Sequence, residues 1–374
     1  MLTHLSVKGF KTLLDFEAPL SQVSVLVGPN NCGKSNVLKA LTFITNTFKN
    51  GPMNAISQAG GPEAVLAKNG KQQLTFELKA IFDGIPITYY LEPRIGLSAG
   101  REWFNVGPNA ETTGGWRESQ PQTGFFIAKN TEFAVGGSPG DVLRLTATHP
   151  QCPAVLRRFY NFLCGGFTAD FSSAALRSSS QVDPNATLSA TGEGLAAVLD
   201  NLDGSRPTVR SQIDKEVHAA IPRVTRVVTI PDVNRGFKVL GVAEGDDVFR
   251  AQSVSDGVLL YIALSTVAQM SGGETLVGLE EPDKGIHPRR IREVLDQVYR
   301  LANAGSQFVI TTHSPVLLNE FRDHPESVLI LDRDEAGTHA RQLSSLPDVE
   351  QQLRDVQLGD LWYSGVLGGV PPVP

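Results

Sequence analysis

Cysteine is scarce in this chain: Cys32, Cys152 and Cys164 are the only three in 374 residues. An odd count at irregular spacing supports neither a disulfide framework nor a zinc-ligand pattern, so reduced thiols in a cytoplasm are expected. Long apolar runs are also missing. The longest, such as Val258 to Leu264, fall far short of the roughly 20 residues that span a bilayer. Asp15 and Glu17 interrupt the stretch a secretory leader would need. A soluble, cytoplasmic chain with no membrane partner is expected. An excess of basic residues is absent too. With 33 Lys and Arg against 39 Asp and Glu, the net charge is −6, which excludes a chain-wide nucleic-acid footprint but leaves a local basic groove open. No internal repeat and no sustained heptad occurs, which argues against a long coiled-coil arm. What remains is 41% hydrophobic and 19% charged, ordinary for a globular chain with a large core and about two lobes.

Hydrophobic patterning predicts strands over 2–9, 14–20 and 23–27 and a helix from Ser35. Residues 74–91 read as a hairpin about Asp83-Gly84. Residues 96–140, rich in Gly, Pro, Asn and Thr, read as loops with irregular strands. Helices are expected at 155–163, 194–202 and 211–220, and strands at 224–230, 236–242 and 247–251. From Ser255 the order is helix, strand 275–279, helix 289–303, strand 307–312 and strand 327–332. The tail from Pro371 is expected to fray.

The strongest motif is Gly28-Pro-Asn30-Asn31-Cys32-Gly33-Lys34-Ser35, a full G-x-x-x-x-G-K-[ST] between strand and helix. Such a loop turns its N–H groups inward as an anion nest at a helix N-terminus. Gly33 permits close approach to phosphates, Lys34 supplies a point charge, and Ser35 offers a hydroxyl to Mg²⁺; Asn36 follows in the helix. Cys32, beside a cationic helix end, is expected to have a depressed thiol pKa and to react faster than the other two cysteines.

Three weaker features follow in order. Ser255-Asp256-Gly257 heads a helix, where a Ser and a Gly can form a second phosphate-facing cap; taken alone it reads as a plain helix cap. Thr275 to Leu279 ends in Glu280-Glu281-Pro282. Glu280 suits a Mg²⁺ coordination sphere and Glu281 the orientation of an attacking water, although an acidic pair after a strand also reads as a solvated loop. Phe308 to Thr312 leads into His313 at a strand end, where an imidazole can hydrogen-bond a γ-phosphate. Ser255 and Glu280 lie 25 positions apart, and Glu280 and His313 lie 33 apart, and it is the order that gives the set its weight.

On these motifs the chain resembles the AAA-type domain 21 (AAA_21) ATPases of the RecF, SMC and OLD group, which are ABC-type heads. The resembling stretches are Lys8-Gly-Phe-Lys11, Val25 to Lys39, Gly192 to Leu202, Val254 to Leu264, Leu279 to Pro288, Ile310 to Leu318 and Leu358 to Gly365. The resemblance implies an α/β, ABC-type P-loop ATPase head with a mixed antiparallel β portion and an inserted, partly helical lobe. The divisions expected are 1–95 for an N-terminal ATPase lobe, 96–223 for the insertion and 224–374 for a C-terminal ATPase lobe. It also implies ATP and Mg²⁺ as cofactors, and an ATP-dependent homodimer or higher oligomer in which Ser255 and Gly257 reach the γ-phosphate of the other subunit's nucleotide. Partners of such heads include a separate effector, for example a nuclease, and DNA, in repair or anti-phage defence.

The chain departs from the pattern at Asn31-Cys32, where Gly-Ser or Gly-Ala is common. It also lacks the Gly-Gly-Gln of transporter signatures and carries His287 where transporters usually have Asp. A glutamine loop is not placed; Gln58, Gln72 and Gln73 are its candidates. Two alternatives to an ATPase switch remain: a nucleotide-gated clamp with negligible turnover, and a transporter subunit, which the 245 positions between Ser35 and Glu280 disfavour. An OLD-type nuclease would need a metal-binding Toprim domain after the head; Asp332 and Asp334 resemble a carboxylate pair but read more simply as strand-end turns.

Overall fold

A computed structural model describes the chain except for residues 69–72, 96–98, 118–122, 233–235, 271–272, 285 and 371–374. Gln72 and the expected frayed tail therefore lie outside the described residues. Two compact units emerge, one made of residues 1–166 and 318–374 and the other of 167–317.

The first unit holds an eight-stranded antiparallel sheet. In spatial order its strands are Leu13–Pro19, Leu2–Phe10, Thr75–Phe82, Ile85–Glu92, Arg101–Val106, Thr112–Arg117, Thr123–Ala128 and Thr131–Ala134. Alternating burial in Arg101–Val106 and Thr123–Ala128 is what a sheet with one covered face requires. Asp83 and Gly84 both have positive φ, 52° and 74°, as the expected two-residue hairpin demands. The helix Lys34–Asn50 meets the sheet through aromatic rings: Phe43 lies 5.4 Å from Phe76 and 6.0 Å from Phe10, and Phe48 lies 5.1 Å from Tyr89. The helix Ala154–Cys164 adds Phe159 and Phe162 against Phe82. The strand Val23–Val27, buried throughout, pairs in parallel with Val328–Asp334, and that strand pairs antiparallel with Gly337–Gln342.

The described residues between Arg101 and Ala134 correct the expectation of loops with irregular strands. Arg101–Val106, Thr112–Arg117, Thr123–Ala128 and Thr131–Ala134 are regular strands that extend the sheet. The glycines that made the segment read as loop are close-approach sites: a Cβ at Gly114 would lie 2.2 Å from the Phe104 ring, and one at Gly124 would lie 2.3 Å from the Gly136 carbonyl oxygen. The span expected as one inserted lobe, 96–223, is accordingly divided. Its strands and the helices Val142–Thr148 and Ala154–Cys164 lie in the first unit, and residues 167–223 lie in the second.

In the second unit the short strand Phe167–Ala169 pairs in parallel with Leu276–Glu280, which pairs in parallel with Gln307–Thr311. An antiparallel sheet joins Phe237–Glu244 to Arg226–Asp232, Asp247–Arg250 and Ser180–Gln181. The helix Asp256–Met270 is buried continuously from Val258 to Ala268, which explains its unbroken apolar run. It shares a core with Leu199, Ile213, Val217, Val227 and Leu240. No helix among the described residues is long and apolar enough to cross a membrane, and all three cysteines are free thiols.

One buried carboxylate ties the added strands to a helix. Glu102 is 2% exposed and accepts hydrogen bonds from the N–H groups of Gly140 (2.6 Å), Val142 (2.9 Å) and Leu143 (2.9 Å) and from the Tyr89 hydroxyl (3.1 Å). Burial outweighs these bonds and pushes the carboxyl up to about 6 from an ordinary 4.5. Its protonated form is thus favoured by folding. The stabilisation is complete below about pH 4.5 and is lost as pH rises through about 6, a change of about 2 kcal/mol. Thermal unfolding should show wild type losing that much relative to Glu102→Gln between pH 4 and pH 7.5. Glu102→Ala, which strands three N–H donors, should cost about 3 kcal/mol or more at either pH.

Candidate functional site

The phosphate-loop motif sits where its sequence demands, between the buried strand Val23–Val27 and the helix Lys34–Asn50. Gly33 precedes the helix with φ 113°, and no side chain caps the first turn. The helix's first N–H groups are therefore not consumed by a capping side chain, as an anion-binding end requires. A Cβ at Gly33 would lie 2.3 Å from the Thr338 hydroxyl and 3.0 Å from that of Thr12. Asn31 takes φ 66°, a left-handed conformation that Asn tolerates. Asn30 and Asn31 are exposed, whereas Cys32, Gly33 and Lys34 are buried. The Lys34 ammonium donates to the carbonyl oxygens of Gly28 (2.7 Å) and Pro29 (3.0 Å), which draws it across the loop.

Side chains far away in sequence brace this loop. The Asn36 amide donates to the Thr12 hydroxyl (2.8 Å), the Thr12 and Thr338 hydroxyls are 2.9 Å apart, and Thr338 donates to the Cys32 carbonyl (2.8 Å). Arg333 reaches both the carbonyl (3.3 Å) and the side-chain oxygen (3.2 Å) of Asn31. A cavity of about 680 Å³ adjoins these residues in the same unit, lined by Lys11, Thr12, Leu66, Lys68, Arg333 and Gly337 among others. Sequence reasoning missed Thr12, Thr338 and Arg333. No local motif marks the last two, and the only pointer to the first was its place after Lys8-Gly-Phe-Lys11.

The acidic strand end and the histidine come together in the second unit. Glu280 pairs with Thr311 across the parallel strands. The Glu281 N–H donates to the Thr311 carbonyl (3.0 Å), and Glu281 has φ 45°, a strained value for a non-glycine residue of the kind found at functional positions. His313 Nε2 lies 3.7 Å from a Glu281 carboxylate oxygen. Behind them the Thr312 hydroxyl donates to Asp283 (2.9 Å) and accepts from the Ser314 N–H (2.9 Å); burial pushes the Asp283 carboxyl up. Ser255 immediately precedes the helix Asp256–Met270, and its carbonyl accepts from the N–H groups of Val258 and Leu259. Asp256 and Glu280 line one small cavity together with Leu260 and Lys284. Of the glutamine candidates, Gln58 is exposed and Gln73 donates weakly to Glu92 (3.5 Å). Asp332 pairs with Arg341 (2.8 Å) and Asp334 with His339 (2.9 Å); among the described residues no cluster of three or more His, Cys, Asp or Glu is arranged to hold a metal.

The expected reactivity of Cys32 is corrected. Its side chain is 2% exposed, and burial pushes the thiol up, against a smaller opposing influence from Lys34. Burial raises Cys152 and Cys164 as well. Labelling of the native chain with a small thiol reagent at neutral pH should start at the half-buried Cys164, with Cys32 modified only under unfolding conditions; rapid modification of native Cys32 would contradict the packing of the loop.

Two families match the chain. The family described as "AAA domain, putative AbiEii toxin, Type IV TA system" matches residues 154–319, and "AAA ATPase domain" matches 1–140. The Old nuclease of Escherichia phage P2 is 22% identical over 381 residues, covering 92% of this chain, which spans 61% of that protein. The OLD nuclease of Thermus scotoductus is 41% identical over a short segment of 44 residues, 12% of this chain and 8% of that one. Among solved structures, an SMC head bound to the C-winged helix domain of ScpA superposes with a TM-score of 0.52 at 14% identity, covering 91% of this chain and 97% of that one. The chain thus carries the fold of an ABC-type P-loop ATPase head, and its similarity to two AAA-type ATPase families and to OLD nucleases is consistent with the RecF/SMC/OLD-like group that the motifs implied.

Proposed function

We propose that the chain binds ATP with Mg²⁺ and hydrolyses it in a dimer whose two copies share the nucleotides. The observation that carries the reading is the loop Gly28–Ser35. It is a braced anion nest at a helix end without a side-chain cap, and a cavity large enough for a nucleoside adjoins it. In this reading the loop from Gly28 to Asn36 surrounds the phosphates through main-chain N–H groups such as those of Asn30, Asn31 and Gly33, and Lys34 neutralises their charge. The adenosine lies in the cavity beside Lys11 and Thr12. Ser35 in the first unit and Glu280 in the second are each a hard oxygen donor of the kind Mg²⁺ takes. Within the second unit Glu281 is suited to orient an attacking water, and His313, 3.7 Å from it, to contact a γ-phosphate. The N–H groups of Ser255 to Gly257 act on the partner copy's nucleotide. Catalysis then rests on positioning and charge, with no covalent step by the protein.

ATP-driven closure and hydrolysis-driven opening of the dimer would switch an effector or a DNA-bound state. The names of the OLD nuclease relatives support a nuclease as that effector, supplied by another polypeptide or domain, and defence or repair as the setting. DNA stimulation of turnover, measured with single-stranded, nicked and duplex DNA, tests this part directly.

Lys34→Ala should abolish binding of a fluorescent ATP analogue; unchanged affinity would contradict the assignment of the loop. Glu281→Gln should reduce steady-state turnover by at least about a hundredfold while preserving ATP-dependent dimers in sedimentation. A wild-type protein that dimerises with ATP yet shows no turnover above the Glu281→Gln level would instead establish a nucleotide-gated clamp.

A further inference from the structure

Arg177 follows the short helix Ser173–Leu176 and belongs to none of the motifs. Its guanidinium nevertheless collects four acceptors. Nη1 donates to the Ser173 carbonyl (3.2 Å) and Nε to the Ala251 carbonyl (3.1 Å). Nη2 donates to the Val254 carbonyl (2.7 Å) and lies 2.5 Å from an Asp256 carboxylate oxygen. Three of these four acceptors lie on the turn that leads into the helix Asp256–Met270, more than 70 positions further along the chain. The side chain of Arg177 is 23% exposed, and that of Asp256 36%. The fork geometry, with three main-chain carbonyls and one carboxylate around the same group, suits a guanidinium but not an ammonium.

The same turn contains an anomaly. The Ser255 hydroxyl oxygen is buried and has no hydrogen-bond partner among the described residues, although Ser255 sits at the head of a helix, where a serine hydroxyl ordinarily caps an N–H. A buried hydroxyl without a partner costs free energy, so something else must hold the turn in this conformation. Asp256 cannot be called a simple first-turn acid either, because its carboxylate turns back to Arg177 and to the wall of the cavity it shares with Glu280.

We propose that Arg177 and Asp256 form a clasp that positions the turn 251–257, setting its N–H groups for the nucleotide of a second copy. The side chains of Arg177 and Asp256 are thus positioning groups, and the Asp256 carboxylate works through Arg177, leaving any contact with phosphate to the main chain. Arg177 gives the carbonyls of Ala251 and Val254 a charged donor from outside the turn. This inference rests on the shared-nucleotide reading above.

The test compares wild type, Arg177→Ala, Arg177→Lys, Asp256→Asn and the double variant Arg177→Ala/Asp256→Asn. ATP-analogue binding to the phosphate loop is measured at concentrations where the protein is monomeric. Dimerisation is measured by sedimentation in a Glu281→Gln background, and turnover in the native background. Arg177→Ala should bind the analogue within about twofold of wild type, keep its thermal midpoint within a few degrees, and lose about tenfold to a hundredfold in dimer affinity and kcat. Arg177→Lys should recover only a minor part of that loss. Asp256→Asn should be impaired in the same readouts, and the double variant should be no worse than Arg177→Ala, because both changes open one clasp. Wild-type dimerisation and kcat in Arg177→Ala overturn the proposal, as does a multiplicative double variant. A collapse of the thermal midpoint together with analogue binding also overturns it, by showing general structural support. A wild-type chain that never dimerises with ATP overturns the shared-nucleotide reading itself, and the clasp with it.

Discussion

The bracing of the loop after Val23–Val27 by side chains from the far end of the chain is the constraint on which the first unit depends. A tight loop between a strand and a helix leaves several of its carbonyls without regular secondary-structure partners. Here the Cys32 carbonyl takes the Thr338 hydroxyl, 306 positions away, and the Asn31 carbonyl takes Arg333, 302 positions away. The strand pairing of Val23–Val27 with Val328–Asp334 brings those residues into reach. Gly33 fits against Thr338 and Thr12 only because it has no Cβ. The loop is thus an assembly of both ends of the chain, and the closing strands are as necessary to it as the glycines.

The large antiparallel sheet supports the same loop from below. The loop's helix, Lys34–Asn50, presents Phe43 and Phe48 to rings on three different strands, which sets the direction of its N-terminus. The added strands from Arg101 onward are locked by Glu102, whose buried carboxylate binds the start of the helix Val142–Thr148. Such a carboxylate is costly to bury, and three main-chain donors and a phenol compensate it only partly, which is why its protonation is displaced upward. It specifies where the meander meets the helix at some expense in stability at neutral pH.

The second unit uses strain and pairing for a similar end. Glu281 is held in a left-handed conformation by its N–H bond to Thr311, a neighbour across the parallel strands, and His313 lies within ion-pair distance of it. The Thr312–Asp283 bond ties the histidine turn to the acidic turn. The turn at Ser255 depends on Arg177 in the same way. In each case a candidate loop is tied by a side chain other than those assigned a chemical role.

The amino-acid sequence determined on its own the phosphate loop, the fully buried strands, the Asp-Gly hairpin, the long apolar helix and the acidic and histidine strand ends. All of these are local: glycine spacing, hydrophobic period and turn chemistry act over a few residues. It failed at residues 101–134, because Gly114 and Gly124 look like loop punctuation when read locally. They are strand positions where Phe104 and the Gly136 carbonyl leave no room for a Cβ. It failed at Cys32, because a neighbouring cationic helix end is visible in sequence and burial is not. It could not find Thr12, Thr338, Arg333 or Arg177, which act by meeting partners across tens to hundreds of positions. Only the tertiary structure decides such meetings, since strand pairing and core packing, not local propensity, set which distant side chains share a loop.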